Sequence, residues 1–169
     1  MTPRIRLVAP SGYAADPAAM TRGVARLRAA GYAVENEAVL ERAMLRFAGS
    51  DAERVADLNA LADADTLPDI ALVTRGGYGA ARLLEHLRYD ALRERLTGTA
   101  LAMVGHSDFT VVQLALHARS GLATLAGPLL ADLGAQPEDA ETLTQFRQVL
   151  SAPSAEVSWR CSGETALDV

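Results

Sequence analysis

The sequence predicts an α/β protein with an open, mostly parallel, Rossmann-like sheet and helices on both of its faces. Two observations predict this fold class. Short apolar runs alternate along the chain with longer segments whose apolar residues recur at helical spacing. The apolar runs are continuous rather than alternating, which is typical of parallel strands that are buried on both faces.

Five apolar runs are the predicted strands of this sheet. In chain order they are Ile5 to Pro10, Tyr32 to Asn36, Asp69 to Thr74, Leu101 to Gly105 and Leu122 to Gly127. The second run is the weakest strand signal. A further segment, Val157 to Arg160, is a candidate edge strand in a region where the alternating pattern dissolves.

Helix boundary signals lie between these runs. Asp16 followed by Pro17 is typical of an N-cap and first helical residue, and Gly31 ends that helix. Ser50 and Glu53 have the spacing of a capping box at the start of the second helix. The remaining helices are predicted over Ala81 to Leu87, over about Asp108 to His117, and from Pro137 through Leu143, Phe146 and Leu150.

Composition limits the function classes. The chain has 169 residues, half of them hydrophobic, which suits one domain with a substantial core. A net charge of −5 without a Lys/Arg block argues against a nucleic-acid partner. No run approaches the ~20 apolar residues of a membrane span and no leader pattern is visible, so we expect a cytoplasmic protein without membrane contact. The single Cys161 has no neighbouring ligand set, so no metal site is expected.

Three turns follow predicted strands and are therefore the candidate site. In α/β sheets ligands bind beyond the carboxyl ends of the strands, where helix N-termini converge. The turns are "PSG" at Pro10 to Gly12, "RGGYG" at Arg75 to Gly79, and "GHSD" at Gly105 to Asp108.

The RGGYG turn has three interpretations. A phosphate cradle is disfavoured, because Arg82 stands where G-x-G-x-x-G requires its last glycine and no G-K-[ST] occurs. An oxyanion hole is the second interpretation, since a free N–H in a glycine turn can face developing negative charge. The third is a tight turn that needs glycine for its shape alone.

The GHSD turn has two interpretations. Ser107 can be a nucleophile presented on a strand-turn-helix elbow, although Phe109 replaces the second glycine of G-x-S-x-G. It can equally be the N-cap of the following helix, since serine is among the commonest caps. A nucleophile also needs a base. His106 is adjacent and should diverge, His117 lies about 15 Å along the same helix at 1.5 Å rise per residue, and His86 is no better placed.

With these motifs in order, the sequence resembles the N-terminal part of the LD-carboxypeptidases, serine peptidases that include muramoyltetrapeptide carboxypeptidase and the microcin C immunity peptidases. The resemblance runs through "VAPSG", "FAGSDAERVADLNALADAD", "IALVTRGGYGAARLL", "MVGHSDFTVVQLAL" and "AGP", about Ile5 to Leu150. RGGYG followed by G-x-S-D is its most specific feature. His106 departs from it, because members usually carry Phe or Tyr there.

The resemblance implies roles for individual residues. Ser107 would be the nucleophile, and the backbone N–H groups of Asp108 and Gly77 would form the oxyanion hole. The residues expected to line the cleft and bind substrate are Ser11, Arg75, Gly76 and Tyr78. Family members use a serine–histidine–glutamate triad without metal or organic cofactor, and they place the histidine and glutamate in a second, C-terminal domain.

The resemblance also implies a substrate and a domain organisation. The substrate would be a muropeptide tetrapeptide whose terminal D-alanine is removed during cytoplasmic wall recycling. Residues 1–153 would form the nucleophile-bearing domain and residues 154–169 the start of a linker to the second domain. This chain alone should then be nearly inactive and should self-associate through its uncovered face, and a homodimer is a further expectation. The alternatives are a microcin C immunity-type peptidase and a silent module that binds muropeptides or acyl-adenylates.

Overall fold

A computed structural model describes residues 2–137 and 140–151 of the chain. Its single sheet has five strands, all parallel, in the order β2-β1-β3-β4-β5. The strands are β1 (Arg4–Val8), β2 (Ala33–Glu35), β3 (Ile70–Val73), β4 (Ala102–Gly105) and β5 (Leu125–Ala126). The predicted parallel α/β sheet is confirmed, and each predicted strand that falls on described residues overlaps one of these five, although β1 begins one residue earlier than predicted.

The described residues form six α-helices. Four of them connect the strands: α1 (Pro17–Ala29), α2 (Asp51–Asp63), α3 (Tyr89–Leu96) and α4 (Thr110–Ser120). The other two, α5 (Leu130–Leu133) and α6 (Ala140–Ser151), follow β5. The predicted helix starts are confirmed where the sequence carried caps. The Asp16 side chain accepts a hydrogen bond from the Ala19 N–H at 3.0 Å. Ser50 and Glu53 form the full reciprocal capping box at the start of α2.

Helices cover both faces of the sheet, as predicted. Alternate residues of a strand point to opposite faces, and β3 shows the division directly. Ile70 and Leu72 pack in one buried cluster with residues of α1, α5 and α6. Ala71 and Val73 pack in a second cluster with residues of α2, α3 and α4. The continuous apolar composition of the strands follows from this double burial.

Local geometry differs from prediction at three places. The segment predicted as a helix over Ala81 to Leu87 is a 3₁₀ helix, Ala80–His86, and the α-helix is the following, unpredicted α3. Ala80 and Leu83 are both buried, and a three-residue repeat brings both to the core. The unpredicted α5 is a single turn after β5. Strand β5 is shorter than predicted, because Pro128 soon follows it and has no N–H for the ladder.

Two further predictions reach the chain's C-terminal part. The last helix begins no later than Ala140, and its predicted start at Pro137 adjoins residues that are not described. The candidate edge strand Val157 to Arg160 and the linker over 154–169 lie outside the described residues.

The sheet order positions the candidate site. Chain connectivity reverses direction at β1, since β2 lies on one side of it and β3 on the other. Such a switch point opens a crevice beyond the carboxyl ends of the strands. The three candidate turns follow the adjacent strands β1, β3 and β4, so the topology brings them to one edge.

Candidate active site

Ser107 lies on a sharp, strained turn. Strand β4 ends at Gly105, His106 is extended, and Ser107 then adopts a left-handed backbone with φ +64° at the start of the 3₁₀ turn Ser107–Phe109. Residues with a Cβ rarely adopt this conformation, and such strain concentrates at functional sites. The turn presents the serine side chain at the exposed end of the strand.

The interpretation of Ser107 as a helix cap is wrong for this structure. His106 precedes the 3₁₀ turn and Phe109 precedes α4, and neither provides a side-chain capping bond. The Ser107 hydroxyl makes no hydrogen bond to any residue in the described part of the chain. The geometry is therefore that of an elbow with a free hydroxyl.

The RGGYG turn packs directly against this serine. A Cβ placed on Gly76 would lie 2.7 Å from both the Cβ and the Oγ of Ser107, so only glycine permits the approach. The Asp108 carboxylate joins the two turns, because its Oδ2 accepts a hydrogen bond from the Ala80 N–H at 3.2 Å. Its other oxygen, Oδ1, is buried without a hydrogen-bond partner. The structure thus brings the two predicted motifs together.

Two backbone N–H groups beside Ser107 are free to donate. Within residues 2–137 and 140–151, neither the Gly77 N–H nor the Asp108 N–H donates a hydrogen bond. Gly77 has φ +131°, a conformation that glycine adopts readily. These are the two N–H groups expected to form the oxyanion hole, and a free donor beside the nucleophile is what that role requires.

The PSG turn supports the glycine turn from the other side. The Gly12 N–H donates to the Gly76 carbonyl at 3.2 Å, and Arg75 Nη1 donates to the Tyr13 carbonyl at 3.2 Å. Ser11 is 0% exposed, and no residue that the structure describes forms a hydrogen bond with its hydroxyl. This burial separates Ser11 from the open cleft, so a substrate contact through its side chain stays a prediction.

Tyr78 forms an exposed rim of the site. Its side chain is 51% exposed, and its ring packs edge-on against Phe47 at 5.5 Å between centroids. The Arg46 guanidinium lies over the Tyr78 ring, 5.0 Å from its centroid. Phe47 and Arg46 belong to a segment before α2 to which the sequence assigned no function.

Arg54 is a second feature that the sequence analysis missed. It is 0% exposed, and its Nη1 donates to the carbonyls of Pro10 at 2.5 Å and Gly79 at 3.2 Å. Its guanidinium also lies 4.6 Å from the Phe47 ring centroid. A signal was present, because Arg54 precedes Leu58 and Leu61 by four and seven residues, and so falls on the buried stripe of α2. A charge at such a position indicates a specific partner.

Asp51 neutralises this buried cation. It pairs with Arg54 and with Arg82, the latter at 2.7 Å. The hydrogen bond from Arg82, with that from Arg54 and the charges of both groups, holds the pKa of the Asp51 carboxyl below its usual value. Hydrogen bonds from Ser50 likewise lower the pKa of Glu53 at the same helix start.

No histidine side chain in the described part of the chain is hydrogen-bonded to Ser107. The three histidines are exposed. His106 Nε2 is hydrogen-bonded to Asp132 Oδ2 at 2.7 Å, and that oxygen also accepts from the Leu129 N–H. The described residues therefore bring together an unbonded serine hydroxyl and two free backbone N–H groups, but no histidine side chain within hydrogen-bonding distance of that hydroxyl.

The described residues show no sign of a metal site or of a membrane-spanning helix. These residues contain no group of three or more His, Cys, Asp or Glu side chains arranged to hold a metal ion. None of their helices has the length and apolarity that crossing a membrane requires.

Comparison with known proteins gives consistent matches. Residues 5–127 match the family described as the LD-carboxypeptidase N-terminal domain. A protein of Synechocystis sp. that bears the name "putative carboxypeptidase" is 34% identical over 159 residues, which cover 93% of this chain and 50% of that protein.

Solved structures match as well. Muramoyltetrapeptide carboxypeptidase from Oxalobacter formigenes superposes with a TM-score of 0.75 at 33% identity, over 89% of this chain and 48% of that one. The microcin C7 self-immunity protein MccF in complex with aspartyl sulfamoyl adenosine superposes with a TM-score of 0.81 at 25% identity, over 92% and 46%. The chain spans between a third and a half of the length of the relatives it matches.

Proposed function

The chain belongs to the LD-carboxypeptidase family, and we propose that it carries the nucleophile of a serine peptidase that removes the terminal D-alanine from muropeptide tetrapeptides. The observation that carries the proposal is the backbone of Ser107. A left-handed φ of +64° on a non-glycine residue costs stability, and here it holds an exposed, unbonded hydroxyl against a glycine turn. A cap or an ordinary turn residue has no need of that strain.

The chemistry assigned to the site is acyl transfer. Ser107 Oγ attacks the carbonyl carbon of the L–D peptide bond and loses its proton to a base. The carbonyl oxygen becomes an oxyanion that accepts hydrogen bonds from the N–H groups of Asp108 and Gly77. The C–N bond then breaks, the amine of D-alanine takes a proton and leaves, and water hydrolyses the Ser107 ester.

Among the described residues, no side chain that could act as the base is hydrogen-bonded to Ser107. We assign the base, with its orienting carboxylate, to a second domain, which accords with the chain's coverage of half or less of its relatives. Without the base the chain should retain oxyanion stabilisation and positioning alone. Loss of the triad's base costs several orders of magnitude in turnover.

The proposed substrate also leads to a proposed location for the protein and to a second candidate function. Muropeptides of wall recycling are cytoplasmic, so we place the protein in the cytoplasm, and we retain the homodimer as its proposed assembly. A microcin C immunity-type peptidase is the second candidate. The match to MccF bound to aspartyl sulfamoyl adenosine, with its TM-score of 0.81, favours testing that ligand class beside muropeptides.

The test of the serine chemistry is covalent labelling. We expect a fluorophosphonate probe to label the chain at one site once the second domain of a relative is added to supply the base, and we expect Ser107→Ala to abolish that labelling. The matched control is Ser120→Ala, because Ser120 is a buried serine of α4 whose hydroxyl bonds to the Tyr89 carbonyl. Equal labelling of wild type and Ser107→Ala, or no labelling when the second domain is present, would refute the proposed nucleophile.

The test of the substrate is D-alanine release from a disaccharide tetrapeptide, run beside release from an aspartyl sulfamoyl adenosine-type ligand. We expect release near background from this chain and a Ser107-dependent gain when the second domain of a relative is added. Clear Ser107-dependent release from the chain alone would show that His86, His106, His117 or a neighbouring subunit supplies the base.

A further inference from the structure

Two guanidinium groups at the candidate site and its rim, those of Arg46 and Arg75, are not neutralised by a carboxylate of the described residues. Ion pairs engage Arg54 and Arg82 through Asp51. In the portion of the chain that the structure describes, neither Arg46 nor Arg75 has a carboxylate partner. The whole chain is acidic, with a net charge of −5, so this is a local excess of positive charge on a protein of the opposite sign.

The backbone of one residue connects these two arginines. The Tyr13 N–H donates to the Arg46 carbonyl at 3.4 Å, and the Tyr13 carbonyl accepts from Arg75 Nη1 at 3.2 Å. Arg75 in turn lies against Gly12, since a Cβ there would be 2.6 Å from Arg75 Nη1. Gly12 bonds to Gly76, which contacts Ser107. A continuous set of contacts therefore links both arginines to the nucleophile.

The Arg46 side chain is held at the surface by its neighbours. Met44 and Phe47 pair through two backbone hydrogen bonds of 2.9 and 3.0 Å, which close a two-residue turn over Leu45 and Arg46. The guanidinium then rests 5.0 Å from the centroid of the Tyr78 ring. A cation stacked on an aromatic face keeps its N–H groups at the ring's edge and its charge available.

The turn itself is strained in a way that burial does not explain. Leu45 has φ +58°, a backbone conformation that favours glycine, and its side chain is 89% exposed. The leucine gains no core packing in return for that conformation. What the turn does achieve is the placement of Arg46 over Tyr78, at the rim of the cleft.

From these contacts we propose that Arg46, stacked on Tyr78, binds the free carboxylate of the ligand whose peptide bond lies at Ser107, and that Arg75 adds a second positive charge. This rests on the proposed function, because a carboxypeptidase must distinguish a chain end from an internal peptide. A guanidinium provides paired N–H donors that match the two oxygens of a carboxylate. A phosphate or sulfamate has the same anionic chemistry, so the test separates the two sources.

The experiment measures binding in the Ser107→Ala background, where no turnover intervenes. N-acetyl-L-lysyl-D-alanine and its C-terminal amide are titrated into the isotope-labelled chain, and dissociation constants are taken from NMR shifts, including the arginine Nε–H signals. We expect the carboxylate to bind about tenfold more tightly than the amide, the effect of one charge-assisted contact. Arg46→Gln should erase the preference.

The control is Arg93→Gln, which removes the same charge from α3, where Arg93 pairs with Asp90 at 3.0 Å. It should preserve the tenfold preference. An undiminished preference in Arg46→Gln, or no preference in the Ser107→Ala chain, overturns the proposal. AMP and adenosine are titrated in the same way. If the chain binds AMP more tightly than adenosine but does not distinguish the carboxylate from the amide, the arginines bind phosphate, and the carboxylate proposal is also overturned.

Fluorophosphonate labelling of Ser107 tests the serine chemistry independently of the binding preference that tests the carboxylate site. A chain in which fluorophosphonate labels Ser107 but Arg46→Gln changes nothing refutes the carboxylate site alone. A chain that does not label when the second domain is present, yet shows the Arg46-dependent preference, refutes the serine chemistry and retains the anion site.

Discussion

The contact between Gly76 and Ser107 makes the sharpest prediction. An alanine Cβ at position 76 would lie 2.7 Å from the Cβ and the Oγ of Ser107. Ordinary carbon contacts are about 3.5–4.0 Å, so the overlap is roughly 1 Å. The strained Ser107 turn is bounded by β4 and α4, and overpacking of this kind costs about 1–3 kcal/mol. Gly76→Ala should therefore lower the free energy of unfolding by that amount.

The same reasoning predicts that the cost depends on Ser107. In a Ser107→Gly background the overlapping Cβ and Oγ are absent, and the remaining neighbour, Asp108 Oδ1, would be 3.7 Å from the new Cβ, an ordinary contact. Gly76→Ala should then be neutral or slightly stabilising, because alanine restricts the unfolded chain more than glycine does. The coupling energy between the two substitutions should be about 1–3 kcal/mol.

Urea unfolding followed by far-UV circular dichroism measures all four corners of this cycle. Gly77→Ala is the matched control, since its φ of +131° strains any side chain while its Cβ would meet only Gly12 atoms at 3.6 Å. That cost, about 1 kcal/mol, should be equal in both backgrounds. If Gly76→Ala costs the same with serine and with glycine at position 107, the described contact is wrong.

Three further predictions concern strain and charge. Ser107→Gly should be more stable than Ser107→Ala by about 1 kcal/mol in urea unfolding, because only glycine relieves the positive φ; equal stabilities would contradict the left-handed backbone. Leu45→Gly should leave stability unchanged or raise it by up to about 1 kcal/mol in thermal and urea unfolding, since the exposed side chain loses no packing; a clear loss would contradict the φ of +58°. Asp51→Asn should destabilise the chain at neutral pH. Because the pKa of Asp51 is lowered in the folded chain, its carboxylate stabilises the fold above the ordinary pKa of 3.8 and ceases to do so as the pH falls through the folded pKa. The difference in unfolding free energy between wild type and Asp51→Asn should therefore narrow in acid. A constant difference down to the acid transition would contradict the ion pairs.

Much of this fold could be predicted from local sequence. The apolar runs of β1, β3 and β4 are buried on both faces, and the caps at Asp16 and Ser50 act within three residues of themselves. Such signals are short-range, so the sequence displays them directly. The 3₁₀ helix Ala80–His86 and the two-residue β5 could not be predicted in the same way, because packing against distant elements decides between helix types and limits strand length.

The candidate site divides in the same manner. The sequence by itself determined which turns follow the strands. The order and spacing of RGGYG and G-x-S-D also indicated the family, which the match over residues 5–127 confirms. It left open whether Ser107 caps a helix or stands as a nucleophile.

Only the tertiary structure showed that Ser107 caps neither the 3₁₀ turn nor α4, and only it showed which remote segments of the chain meet around this serine. Gly76 contacts Ser107, and Arg46 packs over the Tyr78 ring. Arg54 of α2 donates to the carbonyls of Pro10 and Gly79, which lie in two other turns. Side chains of these types occur throughout ordinary surfaces and helices. Their roles arise because a parallel sheet gathers the carboxyl ends of its strands at one edge, and that convergence is a property of strand order rather than of any local pattern.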